Sequence, residues 1–120
     1  MLTKKLYMSK TYRSDKLYIE DIIESIEAIE SYLNNLEYET FIDNRMVYAA
    51  TIRELEIIGE AVGKISQTIK NEYSDIDYRT IKDFRNVLAH EYFGVDMEIV
   101  WIIATDKIPA LKQNILRIKI

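Results

Sequence analysis

The only histidine of this 120-residue chain lies five positions after an arginine, in a stretch whose residue pattern predicts a helix. Arg85 carries a planar, permanently charged guanidinium whose N–H donors match a phosphate group. His90 is the side-chain type that accepts and releases protons near neutral pH. Together the two suit RNA cleavage, in which a ribose 2′-hydroxyl attacks the neighbouring phosphorus while the imidazole transfers a proton and the guanidinium neutralises developing charge.

Helical periodicity separates this pair from the apolar face of the same segment. At 100° per residue, Ile81, Phe84 and Leu88 define the side that faces the core. The residues expected to face away from it are Arg85, Asn86, Ala89, His90 and Phe93, with Tyr92 on the Arg85 edge. One histidine cannot readily act as both acid and base, so the pattern favours a site shared by two chains, with two copies of Arg85 and His90 converging.

A purely structural interpretation of the pair stays open at this point. A histidine near a helix C-terminus is stabilised by the macrodipole, and Arg85 could form an ion pair with Asp83 or Glu91. Metal binding is not expected within one chain, because there is one histidine and no cysteine. We therefore expect no metal and no cofactor.

The charge distribution limits where a polyanion could bind. The net charge is −4, which disfavours a broadly cationic nucleic-acid binder. Residues 17–60 hold eleven acidic against two basic residues, whereas residues 1–16 hold five basic residues against one acidic residue. A polyanion site must therefore be local or assembled from two chains.

The elements that position the pair are predicted to be helices throughout, because the chain holds only three glycines and one proline. A first amphipathic helix begins at Ser14 or Asp15 and runs to about residue 36. A connection over 34–40 leads to a long helix over 46–69, with Asp43 or Asn44 as its N-cap. Within it, Gly59 and Gly63 have the spacing that lets another helix approach closely.

The second half is predicted to contain three more elements and two caps. Residues 71–77 form a loop, and Asp77 caps a helix that runs to about Tyr92 and stops at Gly94. Asp96 caps a fourth helix whose residues 99–103 are apolar nearly all round and are expected to be buried. Pro109 suits the first turn of a short final helix.

These elements predict an all-α, up-and-down bundle of four to five helices, acting as a homodimer. Residues 1–13 are assigned as a basic N-terminal extension and residues 14–120 as one helical domain. No apolar run has membrane-spanning length, and residues 1–13 lack the apolar stretch typical of a signal peptide. We expect a cytoplasmic location and no membrane partner.

The sequence resembles the HepT-like toxins of the HEPN superfamily of helical ribonuclease domains. Residues 85–92 match their Arg-x-x-x-x-His-x-Tyr motif, and further segments agree in the same order over about residues 14–118. Those segments are Tyr18–Ile22, Ile52–Ala61, His90–Asp96 and the pair Val100-Trp101. The lysine-rich start before Ser14 departs from the family pattern.

The resemblance implies a toxin of a toxin–antitoxin pair that cuts RNA without metal at the interface of a homodimer. It implies that Arg85 and His90 are catalytic and that Asn86 supports the phosphate or orients His90. Its partner would be a minimal nucleotidyltransferase antitoxin that transfers AMP to Tyr92, placing negative charge and bulk beside Arg85.

Two other functions stay open beside the nuclease. The dimer could be a non-catalytic module that binds a nucleotide or substrate for a partner nucleotidyltransferase, with Arg85 holding phosphate. It could also be a structural helical dimer in which His90 only caps its helix.

Overall fold

The computed structural model describes residues 14–90 and 96–119, and every regular element in these ranges is helical. The helices are α1 Asp15–Leu33, α2 Tyr38–Asp43, α3 Arg45–Lys64, α4 Gln67–Glu72, α5 Tyr78–His90, α6 Met97–Ile102 and α7 Ile108–Ile115, with a π-helical turn at Ile103–Lys107. The all-α fold class is thus confirmed. Helix α3 packs against α1 on one side and against α5 on another, which makes it the centre of the bundle.

The predicted helix caps form where the residue types allow them. Ser14 caps α1 by accepting a hydrogen bond from the N–H of Leu17, and Asn44, rather than Asp43, caps α3 through the N–H of Val47. Asp96 likewise caps α6 through the N–H of Glu98. Each of these side chains satisfies a backbone donor that the first helical turn leaves without a partner.

The prediction of one long helix over 46–69 is wrong, because the helix ends at Lys64. Ile65 adopts an extended conformation, and α4 begins at Gln67. Asp15 explains the break: its carboxylate accepts hydrogen bonds from the backbone N–H of Ser66 at 2.8 Å and from the Ser66 hydroxyl at 2.6 Å. The N–H of Ser66, which has no partner within a helix, is thus hydrogen-bonded. The same contact holds the start of α1 against the end of α3.

The connection predicted over 34–40 contains the start of a further short helix, α2. Phe41 anchors this helix, since it is fully buried. Its ring lies 5.1 Å from the ring of Trp101 and 6.3 Å from that of Tyr48, measured between centroids. Aromatic side chains bury a large apolar surface, and their contacts stabilise the position of this six-residue helix.

The fourth and fifth predicted helices are joined rather than separate. Helix α6, the π turn and α7 follow one another without a gap, and Pro109 lies in the first turn of α7. Proline has no N–H to continue an α-helical ladder, and the π turn directly before it changes the hydrogen-bond register. Counted this way, the described residues form six continuous helices, two of them the short α2 and α4, where four to five were predicted.

The burial expected for residues 99–103 is correct only in part. Val100 is fully buried and Trp101 packs partly against the core, but Ile99 and Ile102 are 49% and 43% exposed. Only one side of this helix faces the bundle, so its all-apolar sequence leaves some apolar side chains exposed to solvent. In the part of the chain that the structure describes, no helix is long and apolar enough to cross a bilayer.

Candidate functional site

The N-terminus of α5 is fixed by the residues that precede it. Asp77 accepts a hydrogen bond from the N–H of Thr80 at 3.1 Å, as its predicted capping role requires. Hydrogen bonds from the side chain and backbone of Thr80 lower the pKa of Asp77, so its carboxylate is charged where the helix dipole is positive. The Tyr78 hydroxyl donates to the carbonyl oxygen of Tyr73 at 2.9 Å, which ties the first turn to the preceding loop.

Helix α5 approaches α3 very closely at Gly59. A Cβ atom built on Gly59 would overlap the Cβ of Arg85 and lie 2.7 Å from its Cγ and 3.3 Å from the carbonyl oxygen of Ile81. Gly63, one turn later, is less crowded, because its nearest neighbour is the Cδ of Lys82 at 3.6 Å. The close helix approach predicted from the two glycines is confirmed. Gly59 is the position at which the approach leaves no room for a Cβ atom.

Arg85 is held by this contact rather than turned fully outward. Its stem lies against α3 and the residue is half-buried, which corrects the expectation that Arg85 faces away from the bundle. Its Nη1 donates to the side-chain oxygen of Asn86 at 3.4 Å, and Asn86 is exposed as predicted. The absence of a Cβ on Gly59 is the physical reason, because it leaves room for the arginine stem between the helices.

The ion pair considered for Arg85 with Asp83 does not form. The Asp83 carboxylate instead lies 3.8 Å from the guanidinium of Arg79, one turn earlier on the exposed face. Within residues 14–90 and 96–119, Arg85 has no salt bridge. No described carboxylate therefore competes with a ligand for its guanidinium, and Glu91, the other partner considered, lies outside the described residues.

His90 is the last residue of α5 that the structure describes, and the helix end predicted near Tyr92 and Gly94 lies outside the described residues. Five residues of α-helix place its backbone about 7.5 Å along the axis from that of Arg85. The side chains of His90 and Ala89, together with all of Tyr92 and Phe93, lie outside what the structure describes. The backbone thus puts the predicted catalytic pair on one helix, with Arg85 and Asn86 as the part of the site whose geometry is known.

A groove that sequence analysis did not identify lies next to Arg85, between α3 and α5. Its volume is about 350 Å³, and it is lined by Gly59, Glu60, Gly63, Lys64, Lys82, Arg85 and Asn86. The signal that could have found it is the combination of the glycine spacing on α3 with Lys82, three residues before Arg85. Among the described residues, no group of three or more carboxylates or histidines is placed to hold a metal ion.

The site and fold define a class: a helical bundle in which one helix carries an arginine at a groove and a histidine five residues later. The model of the family described as "Ribonuclease HepT-like" matches residues 22–118, and this chain belongs to that family.

Three relatives illustrate the similarity. "Putative RNase MJ1216" of Methanocaldococcus jannaschii is 40% identical over 85% of this chain and 84% of its own length. "Probable ribonuclease HepT" of Thermococcus cleftensis is 41% identical over 83% and 91%, respectively. "Putative RNase MJ1380" of Methanocaldococcus jannaschii is 34% identical over 90% of this chain and 97% of its own length. No solved structure matches the chain.

Replacing Gly59 by Ala is expected to destabilise the protein by about 1–3 kcal/mol, because α5 must move to relieve the overlap with Arg85. Gly63→Ala is the matched control on the same helix. It should stabilise by about 0.5–1 kcal/mol, because alanine favours the helix and meets only ordinary contacts. Urea unfolding of both variants measures the difference, and equal effects of the two substitutions would contradict the proposed close contact.

Proposed function

We propose that this chain is a metal-independent endoribonuclease, the toxin of a toxin–antitoxin pair acting in the cytoplasm. The observation that carries the proposal is Arg85, held half-buried beside an open groove without a carboxylate partner among the described residues, on the helix that also carries His90. The ribonuclease names of the relatives support the same reaction class.

The reaction assigns one role to each side chain. The 2′-hydroxyl loses its proton to a His90 imidazole as its oxygen attacks phosphorus, and the bond from phosphorus to the 5′-oxygen breaks. A protonated His90 gives that leaving oxygen its proton. Arg85 neutralises charge on the phosphoryl oxygens, and Asn86, which accepts a hydrogen bond from Arg85, orients the guanidinium or contacts the phosphate. The products are a 2′,3′-cyclic phosphate and a 5′-hydroxyl.

Cleavage of RNA by the purified chain in EDTA is expected to fall by about 100-fold or more in Arg85→Ala and in His90→Ala. Arg79→Ala is the matched control, since Arg79 lies on the same helix but is exposed and paired with Asp83. It should retain activity. Gel analysis of a labelled RNA, with unfolding curves for each variant, makes the measurement.

Two results of that experiment would argue against the nuclease. Activity that persists in both variants would remove the pair from the chemistry, and activity that EDTA abolishes would remove metal independence. If the chain binds a nucleotide through Arg85 but never cuts RNA, the non-catalytic binding module is the better description.

The proposed active site is composite, formed where two copies of α5 meet in a homodimer. A single histidine per chain supplies one proton-transfer group, and the mechanism needs a base and an acid at the same time. A second chain supplies the other imidazole. It also doubles the local positive charge in a protein whose net charge is −4.

Dilution tests the composite site without altering any residue. Cleavage per chain should fall as the concentration passes below the dimer dissociation constant, and it should recover on concentration. Mass photometry or sedimentation at the same concentrations gives the fraction of dimer. A cleavage rate per chain that stays constant while the dimer dissociates would show that one chain suffices.

The control that we propose for this activity is AMP transfer to Tyr92 by a minimal nucleotidyltransferase antitoxin. Tyr92 follows His90 by two residues, so an AMP group there would bring phosphate charge close to the proposed reaction centre. That charge would occupy the place of the RNA phosphate and repel the substrate.

Mass spectrometry of the chain co-expressed with such a transferase should detect one or more added AMP groups that are absent in Tyr92→Phe. Tyr48→Phe serves as the matched control, because Tyr48 packs partly against the core in the aromatic cluster and should not affect the modification. The modified chain should also lose RNA cleavage. Added AMP that persists in Tyr92→Phe would place the modification on another residue.

A further inference from the structure

The groove between α3 and α5 concentrates positive charge on an acidic protein. Lys64, Lys82 and Arg85 line it together with a single carboxylate, that of Glu60. The whole chain carries a net charge of −4, so this local excess is opposite in sign to the overall charge. A local site of this kind can attract a polyanion that the rest of the surface repels.

Among the described residues, the cations of the groove have no salt bridge to a carboxylate. The salt bridges of the described residues involve other cations, namely Arg53, Arg79, Lys112 and Arg117. Although Glu60 precedes Lys64 by one helical turn, the two form no ion pair in the described structure. A ligand phosphate could therefore bind Lys64, Lys82 and Arg85 without breaking an existing bridge.

The backbone arrangement suits a row of phosphates. Lys82 and Arg85 are three residues apart on α5, so their side chains are neighbours on one face, with about 5–6 Å between Cβ atoms. Lys64 faces them from the last turn of α3. The Lys82 stem lies over Gly63, 3.6–3.8 Å from its Cβ position, and the Arg85 stem lies against Gly59, so both cationic side chains rest on the glycines of α3.

We propose that this groove binds the sugar-phosphate backbone of single-stranded RNA beside the cleavage site. Lys82 and Lys64 lie at the Gly63 end of the groove and contact the phosphate next to the one held by Arg85, so they are substrate-binding residues of the same reaction. The inference rests on the proposed nuclease function for the identity of the ligand. A volume of about 350 Å³ is that of a small-ligand pocket, so the groove has room for a short piece of one strand.

Binding of a single-stranded RNA whose sugars all carry 2′-O-methyl groups tests the groove apart from cleavage, because this probe lacks the attacking hydroxyl. Fluorescence anisotropy at several salt concentrations gives the affinity and its salt dependence. Lys64→Gln and Lys82→Gln should each weaken binding about fivefold at 0.1 M salt and lower the slope of log K against log salt by about 0.7. Glutamine keeps most of the Lys82 stem over Gly63.

Two further variants separate the groove from general surface charge. Lys107→Gln removes the same charge from an exposed lysine outside the groove and should leave binding nearly unchanged. Glu60→Gln removes the opposing carboxylate and should strengthen binding. The proposal is overturned if Lys107→Gln weakens binding as much as the groove variants, or if neither groove lysine affects the slope. It is also overturned if ATP binds the groove in a Lys82-dependent way while the RNA probe does not.

The outcome is separable from that of the nuclease proposal. Lysine-dependent binding of the uncleavable probe, with no cutting of natural RNA, would retain the groove and reject the enzyme. Cutting that depends on Arg85 and His90, with no effect of Lys64 or Lys82 on binding, would retain the enzyme and reject the groove.

Discussion

The contact between α3 and α5 at Gly59 is the constraint on which the candidate site depends. A glycine inside a helix lowers helix stability by about 1 kcal/mol relative to alanine, so a favourable packing contact is expected to offset that loss. Here it allows the stem of Arg85 to lie directly against the α3 backbone, where any side chain on residue 59 would overlap it. The start of the arginine side chain, from Cβ to Cγ, is thereby held against α3, and a side chain that is partly ordered loses less entropy when it binds phosphate than a freely moving one.

The loop before α5 is fixed from the other end of the chain. Arg117 donates two hydrogen bonds to the Asp75 carboxylate, at 2.8 and 3.2 Å, and these hold the pKa of Asp75 below its usual value. The N–H of Lys119 donates to the Tyr73 hydroxyl at 3.1 Å. Because Asp77 then caps α5, the residues after α7 help determine where the helix that carries Arg85 begins.

Sequence reasoning succeeded where the cause is local and failed where it is distant. Ser14 and Asp77 act as caps through donors three residues away, and the Gly59 spacing signals a close helix approach by itself. The break after Lys64 has a local part that was missed, since Ser66 caps α4 through the N–H of Ile69, and a distant part that no local pattern reveals, since the Asp15 carboxylate that binds Ser66 lies 51 residues earlier. The groove was missed for a similar reason: Lys64 joins Lys82 and Arg85 only after α3 and α5 have packed together.

The two sides of α3 differ in the charge that they present to a polyanion. On the side of α3 that faces α1, a second groove of about 490 Å³ is lined by Asp21, Glu24 and Glu54, and the Tyr32 hydroxyl donates to Glu54 at 3.0 Å, a bond that raises the pKa of this tyrosine. These carboxylates would repel an RNA strand there, whereas the proposed groove on the α5 side would attract one. When charge is averaged over the whole chain, its acidic first half argues against a nucleic-acid ligand. The placement of those acidic residues on the fold instead favours approach of such a ligand from the side where Arg85 lies.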